Sequence, residues 1–363
     1  MRRSGGRLAL PSGLLLECGR ELPRVDVAWE QYGELNRDRS NAVLVCHALS
    51  GGAHAAGFDE ATGKRGWWDA MIGPGRAFDT SRFCVISSNV LGSCYGTTGP
   101  ASLNQETGHP YGPDFPVISV GDMVKLQAAL LDALGVGQLA AVAGGSMGGM
   151  QALAWATLFP DRVRAIIAIA ATDRHSPRQI ALNEVARRAI TADPAWNGGR
   201  YYPGPGPRAG LAVARMLGHT TYLSDEGMER RFGRRLRGGC RRFDLEPQFE
   251  VEHYLGHQGR RFVERFDANS LLYLTSAIDH FDVSEGSTSL ADAFAKANSR
   301  FLLVAFSSDW LYPPEQLVRV AGALRDAGKD VRFHCVESDA GHDAFLVECD
   351  RQGRLVSEFL GDG

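Results

Sequence analysis

Seven short runs of apolar, largely β-branched residues recur along the chain, at 25–32, 42–46, 83–88, 139–143, 165–169, 301–305 and 331–336. They are close to continuous rather than alternating, which is the pattern of strands covered on both faces. Between several of them apolar positions return at helical spacing, at 120–134, 149–159 and 314–327. Strands alternating with helices predict an α/β fold with a mostly parallel central sheet flanked by helices. The alternation stops between Asp173 and Asn298, where helical stretches (176–191, 210–217) and a Pro/Gly-rich loop (198–210) stand instead. The strands then resume. The simplest organisation is a core made of residues 1–172 and 299–363, interrupted by a mainly helical insertion over 173–298. No internal repeat or low-complexity linker divides it further.

Composition narrows the class. A chain of 363 residues, 44% hydrophobic and 22% charged, buries a sizeable core and is not disordered, collagenous or coiled-coil. The formal charge of −3 offers no global positive field for nucleic acid. No run of about 18 apolar residues points to a membrane span, and the basic start Met1-Arg2-Arg3-Ser4-Gly5-Gly6 is followed by no secretory apolar core. The seven cysteines form no CxxC pair. Cys46, Cys84 and Cys335 fall in strand-like runs, as small buried hydrophobes do, so the expectation is a reduced, cytoplasmic protein. Only four of the 39 basic residues are lysines, from which no function is drawn.

Chemistry enters at Leu139-Ala140-Ala141-Val142-Ala143-Gly144-Gly145-Ser146-Met147-Gly148-Gly149, a strand, a Gly-x-Ser-x-Gly turn and a helix. A serine hydroxyl becomes a nucleophile when it projects from the backbone against a base. A tight strand-to-helix turn gives that projection if the neighbours lack Cβ atoms, as Gly144 and Gly148 do. The helix that follows aims its N-terminal N–H groups at Ser146, where negative charge would develop.

Such a nucleophile needs a carboxylate and then a histidine, each just past a later strand. The run 301–306 leads into Ser307-Ser308-Asp309-Trp310, and 331–336 leads to Asp339-Ala340-Gly341-His342-Asp343. Asp309 is therefore the expected orienting acid and His342 the expected base. His334, inside a strand-like run, is expected to be a core histidine. An oxyanion hole needs two backbone N–H groups; Met147, after the nucleophile, and Leu49, in the loop after the second strand-like run, are chosen. His47, beside it, is given a structural role.

With these residues in place, the chain resembles the homoserine O-acyltransferase family of the α/β-hydrolase fold. The resemblance rests on Tyr32-Gly33-Glu34-Leu35-Asn36, Cys46-His47-Ala48-Leu49-Ser50-Gly51, Gly66-Trp67-Trp68-Asp69 and Ile72-Gly73-Pro74-Gly75. It continues through Ser88-Asn89-Val90-Leu91-Gly92, Cys94, Gly96-Thr97-Thr98-Gly99-Pro100 and the serine turn. Ala214-Arg215-Met216-Leu217-Gly218-His219, Arg265-Phe266-Asp267-Ala268-Asn269-Ser270 and Gly341-His342-Asp343-Ala344-Phe345 complete it, so that nearly the whole chain is covered, lid included. Ser93 and Tyr95 depart from the family's more usual glycine and lysine.

The resemblance implies a ping-pong transfer in methionine biosynthesis: Ser146 takes the acyl group from acyl-CoA, and the hydroxyl of L-homoserine, activated by His342, takes it from Ser146. It implies Arg215 for the substrate carboxylate, Asp343 for its ammonium and Tyr222 as a further contact. No bound cofactor is implied, acetyl-CoA serving as co-substrate, and the lid helices are expected to form a homodimer. Succinyl-using members carry an arginine just after the catalytic Asp-Trp. Here Leu311 stands in Asp309-Trp310-Leu311-Tyr312-Pro313-Pro314, which favours acetyl-CoA. A succinyl donor, a serine acceptor and a plain esterase are the alternatives.

Two features lie outside this scheme. Seven arginines between Arg230 and Arg242, with no acid among them, read either as a landing patch for CoA phosphates or as a solvated helix face. His253 and His257, four apart with Cys240 nearby, fix no third ligand by spacing, so no metal is expected.

Overall fold

The computed structural model describes residues 3–361 apart from Pro11 and Ala61; Met1 and Arg2 of the basic start lie outside it. An eight-stranded sheet forms its centre, from β1 (Arg3–Ala9), β2 (Asp26–Tyr32), β3 (Ala42–Cys46), β4 (Cys84–Ser88), β5 (Ala141–Gly145), β6 (Ala165–Ile169), β7 (Arg300–Phe306) and β8 (Val331–Val336). Their spatial order is β1-β2-β4-β3-β5-β6-β7-β8. Only β2 runs against its neighbours β1 and β4; every other pairing is parallel.

The continuous apolar runs have a simple cause. Successive side chains point to opposite faces, and both faces are covered. Leu44, Ile166 and Leu303 join the apolar layer on one side, whereas Val43, Ile167 and Val304 join the other. Helices α1 (Val120–Ala133) and α2 (Met147–Leu158) pack into the first layer. Val356 and Phe359, of the C-terminal helix Cys349–Gly361, pack into the second.

The segment between β6 and β7 is helical. It holds α3 (Pro177–Thr191), α4 (Arg208–Tyr222), α5 (Asp225–Arg231), α6 (Glu250–Val263), α7 (Ala268–Asp279) and the single turn α8 (Leu290–Ala293). Ser176 and Gln179 close a capping box at the start of α3, fixing where the chain leaves the sheet. Helix α3 packs on α4, and α4 on α6. After β7, α9 (Pro314–Asp326) returns to the sheet, and the short α10 (Ala344–Val347) precedes the C-terminal helix, α11. Among the described residues no helix is long and apolar enough to cross a membrane.

Several expectations change. Strand β1 was not expected: its Arg-Ser-Gly-Gly-Arg sequence carries no apolar run because it is an exposed edge strand. Strand β5 lies two residues later than the 139–143 run, since Gly144 and Gly145 continue it to the turn. His334 is not a core histidine and Cys335 is not a buried hydrophobe; both are exposed. Their strand, β8, is the opposite edge of the sheet, paired only to β7. The seven arginines do not line a helix face. Only Arg230 and Arg231 are helical, and the others follow in turns and loop before α6.

Candidate active site

Ser146 stands at the turn between β5 and α2 with φ 58° and ψ −127°, a conformation a non-glycine residue rarely holds. The surroundings enforce it: the Ser146 N–H donates to the Ile169 carbonyl at 3.0 Å, and Gly149 N–H donates back to the Ser146 carbonyl at 2.9 Å. No side chain fits on either flank. A Cβ on Gly144 would lie 2.3 Å from the Gly148 carbonyl carbon, and one on Gly148 would lie 2.1 Å from the Cys46 oxygen.

His342 and Asp309 arrive on separate loops. Asp309 follows β7, and His342 sits in the 3₁₀ turn Gly341–Asp343 beyond β8. The Gly341 N–H donates to Oγ of Ser308 at 3.0 Å, tying the two loops together. Nδ1 of His342 lies 2.7 Å from Oδ2 of Asp309, and Nε2 lies 2.9 Å from Oγ of Ser146. A carboxylate only accepts, so the ring proton sits on Nδ1 and Nε2 faces the serine as an acceptor. All three residues are buried. The Tyr312 N–H donates to the other oxygen of Asp309 at 2.8 Å.

The loop after β3 closes the opposite side. His47 is fully buried, and burial lowers its pKa to about 4, so it is neutral. Its Nε2 accepts the Val90 N–H at 3.1 Å, which leaves Nδ1 to donate to the Ala48 carbonyl at 2.7 Å. Gln151 of α2 donates to the carbonyls of His47 and Met147, at 3.2 and 3.1 Å. That amide holds the loop bearing Leu49 against the first turn of α2.

A closed cavity of about 80 Å³ opens from Ser146 toward the lid. Leu49, Met147, Arg215, Tyr222 and Leu311 all line it. Arg215, on α4, is the one lysine or arginine among its described lining residues, and no carboxylate lines it. Its guanidinium lies 4.7 Å over the Phe262 ring and 5.5 Å over Tyr222. Nη1 reaches Oγ of Ser50 at 3.4 Å, while Nε is buried without a partner among the described residues. Burial pushes the Tyr222 hydroxyl up and keeps it protonated. Asp343 is not on this lining. Burial raises its carboxyl, opposed by the charges of His342, Arg215 and Arg231.

Sequence reasoning missed a group on the far wall. Tyr312, His175, Gln179 and Asn183 line the same cavity as Ser146, and the first two are hydrogen-bonded at 2.6 Å. A lone histidine before a helix and a tyrosine before two prolines carry no signal at sequence level. The excess arginines sit elsewhere: Arg230 pairs with Asp339, Arg231 stacks 4.4 Å over Tyr254, and Arg242 pairs with Asp244 at 3.0 Å. His253 and His257 lie on α6, with Cys240 in the exposed loop before it. Among the described residues no three His, Cys, Asp or Glu side chains gather to hold a metal ion.

Comparison with known proteins adds the following. A family profile described as the alpha/beta hydrolase fold matches residues 41–348. The homoserine O-acetyltransferase of Geobacter metallireducens is 55% identical over 348 residues, 96% of this chain and 94% of the relative. The homoserine O-succinyltransferase of Alkalilimnicola ehrlichii is 54% identical over 338 residues, 92% of this chain and 88% of the relative. Among solved structures, homoserine O-acetyltransferase from Bacillus anthracis superposes with a TM-score of 0.92 at 30% identity, covering 99% of this chain and 98% of that one. Esterase E22 superposes with a TM-score of 0.91 at 31% identity, covering 99% and 100%.

Proposed function

This chain belongs to the homoserine O-acetyltransferase family of the α/β-hydrolase fold, and we propose that it moves an acetyl group from acetyl-CoA to the side-chain hydroxyl of L-homoserine through an acyl-enzyme on Ser146. It is an enzyme, an acyltransferase of methionine biosynthesis. In the first half-reaction His342 takes the Ser146 proton, Ser146 attacks the thioester carbonyl, and CoA leaves as its thiol with that proton. The N–H groups of Leu49 and Met147 receive the oxyanion. In the second, His342 takes the proton of the homoserine hydroxyl, which attacks the acyl-enzyme, and Ser146 leaves protonated. Side chains and backbone N–H groups supply all of this chemistry, so the reading includes no bound cofactor.

The observation that carries the reading is Arg215, a lid arginine with an unpartnered buried Nε in the cavity that opens from Ser146. An esterase acting on neutral esters has no need of it, whereas an amino-acid carboxylate pairs with it. Asp343 then takes the ammonium group and Tyr222 lies alongside. With Arg215 engaged by the acceptor, no further lysine or arginine among the lining residues is left for a succinyl carboxylate, which favours acetyl-CoA over the donor named for the Alkalilimnicola relative.

Charge also favours one donor path. Ser50, Arg215 and Phe262 line both the closed cavity and an open basin of about 1240 Å³. Arg3, Lys64, Arg65, Arg261 and Arg265 line that basin and, with Arg215, outnumber its carboxylates Glu30, Asp59 and Glu264, which suits a polyanionic CoA. The basin on the other side, beyond Asp309, is lined by Asp225, Glu226, Glu315, Glu337, Asp339 and Glu348 against Arg178 and Arg351, an acidic balance less suited to phosphates. Exposed Ile180, Val185 and Val213 on lid helices α3 and α4 support a homodimer through the lid, and seven free cysteines support a cytoplasmic setting.

The test is a matrix of homoserine or serine against acetyl-CoA or succinyl-CoA, with CoA release and O-acyl product both measured. O-acetylhomoserine as the fastest product is expected. Free acetate without O-acyl product would make the protein an esterase, and faster O-succinylhomoserine would overturn the donor.

A further inference from the structure

The triad leaves one buried histidine–carboxylate pair unused. His175, just before α3, and Asp279, the last residue of α7, have side chains 2% and 5% exposed, with Nδ1 2.8 Å from Oδ1. Asn183 donates to the same oxygen at 2.7 Å and Arg187 to the other at 2.6 Å. Burial works against the charge on Asp279, but the bonds from His175, Asn183 and Arg187 outweigh it and hold its carboxyl below the ordinary range. An ionised Asp279 only accepts, so Nδ1 of His175 carries the proton that it receives.

The far nitrogen meets the catalytic core. Nε2 of His175 lies 2.6 Å from the Tyr312 hydroxyl, which donates to it. Tyr312 meets two members of the triad and shares a cavity wall with the third. Its backbone N–H holds Oδ1 of Asp309 at 2.8 Å. Its ring lies 4.9 Å from that of His342, tilted by 31°. Its hydroxyl stands on the wall of the cavity that opens from Ser146. His175 and Asp279 belong to the lid insertion, whereas Tyr312 belongs to the core.

We propose that the buried Asp279–His175 pair is a positioning device of the lid, which seats Tyr312 and through it aligns His342 and Asp309 toward Ser146. The histidine transmits orientation from one element to the other: α7 fixes the carboxylate, the carboxylate fixes the tautomer and plane of the ring, and the ring fixes the phenol. A lid displaced from the core would break the His175–Tyr312 contact and loosen the base. A second histidine–carboxylate couple thus stands behind the reacting one. The proposal rests on Ser146, His342 and Asp309 being the reacting set.

Acylation by 4-nitrophenyl acetate tests it, because the first turnover needs neither CoA nor homoserine. A wrong donor or acceptor therefore leaves this test intact, and Ser146→Ala checks the reacting set separately by losing the burst. Tyr312→Phe keeps the ring and the backbone N–H and removes only the anchored hydroxyl. The acylation rate of Tyr312→Phe and of His175→Leu should fall by the same factor, on the order of 10- to 100-fold. KM for homoserine and acetyl-CoA should stay within about 3-fold in full turnover. His175→Gln, whose amide oxygen can still accept from the phenol, should retain more activity than His175→Leu. The double variant Tyr312→Phe/His175→Leu should be no slower than either single one, since the two act along one chain. Wild-type acylation by Tyr312→Phe would overturn the proposal, and so would independent losses that multiply in the double variant. If His175→Leu does not fold, Tyr312→Phe against Tyr312→Phe/His175→Gln gives the same cycle.

Discussion

The guanidinium of Arg215 lies 4.7 Å over the ring of Phe262, so that α4 presents a cation packed against α6. The contact holds the cation in place while Nε has no hydrogen-bond partner among the described residues. Arg215→Ala should therefore weaken acceptor use and spare the first half-reaction. A lost charge-assisted pair is worth about 2–3 kcal/mol, so kcat/KM for homoserine should drop on the order of 30- to 150-fold. Acyl-enzyme formation measured without homoserine should stay near wild type. If that step fails as badly as turnover, Arg215 serves the donor or the fold.

Ser146→Ala should abolish the covalent intermediate. After mixing with acetyl-CoA, intact-mass measurement should show one acetyl adduct on the wild type and none on the variant. An equally acetylated variant would remove Ser146 from the reaction. The elbow that holds the serine makes a second expectation about stability. Gly148→Ala puts a Cβ 2.1 Å from the Cys46 oxygen, where the sheet backbone has no room to yield. It should cost about 3 kcal/mol or more and collapse the soluble yield. Gly322→Ala, in α9 with nothing within 4 Å of the new Cβ, is the control. It should be neutral or raise Tm slightly.

Leu311→Arg should shift the donor ratio toward succinyl-CoA. Leu311 lines the cavity with Ser146, and its carbonyl accepts from Gln179 at 2.7 Å, which fixes the backbone that would carry the arginine. A succinyl carboxylate entering that cavity beside an occupied Arg215 loses solvation without a partner, a cost of several kcal/mol. An added guanidinium pairs with it and fills space the acetyl group leaves to leucine. The readout is the ratio of kcat/KM for the two donors at fixed homoserine; an unmoved ratio would remove position 311 from donor choice.

His47 gives the fold an acid limit. Its folded pKa of about 4 lies below the ordinary 6.5 of a free imidazole, because burial disfavours the charged ring. As pH falls, the unfolded chain takes up this proton first, so the stabilisation is whole above about 6.5 and is lost on the way down to about 4. The loss is up to about 3 kcal/mol. Urea midpoints between pH 7 and 4.5 should fall in the wild type and fall less steeply in His47→Gln. Parallel slopes would show that other groups carry the acid sensitivity.

What the sequence determined by itself was local. A strand covered on both faces must be apolar at every position, so β3 and β6 are legible as runs and are bounded by them to the residue. A sharp strand-to-helix turn must have glycine on its flanks, so Ser146 is legible from four neighbours. The order of acid and histidine after later strands then singles out Asp309 and His342. Edge strands escape this logic. β1 pairs on one side only and needs no apolar sequence, and β8 carries exposed His334 and Cys335 in a run that resembles a core strand. The lid was decided by tertiary structure. Nothing near Arg215 in the chain says that it will reach Ser50, 165 residues away, and nothing near His175 says that it will meet Tyr312, 137 residues away. Backbone conformation is set by adjacent residues, which the sequence displays side by side. The meeting of polar side chains from α3, α7 and the β7 loop is set by how helices pack over the sheet, where burial, not spacing, makes each partner necessary.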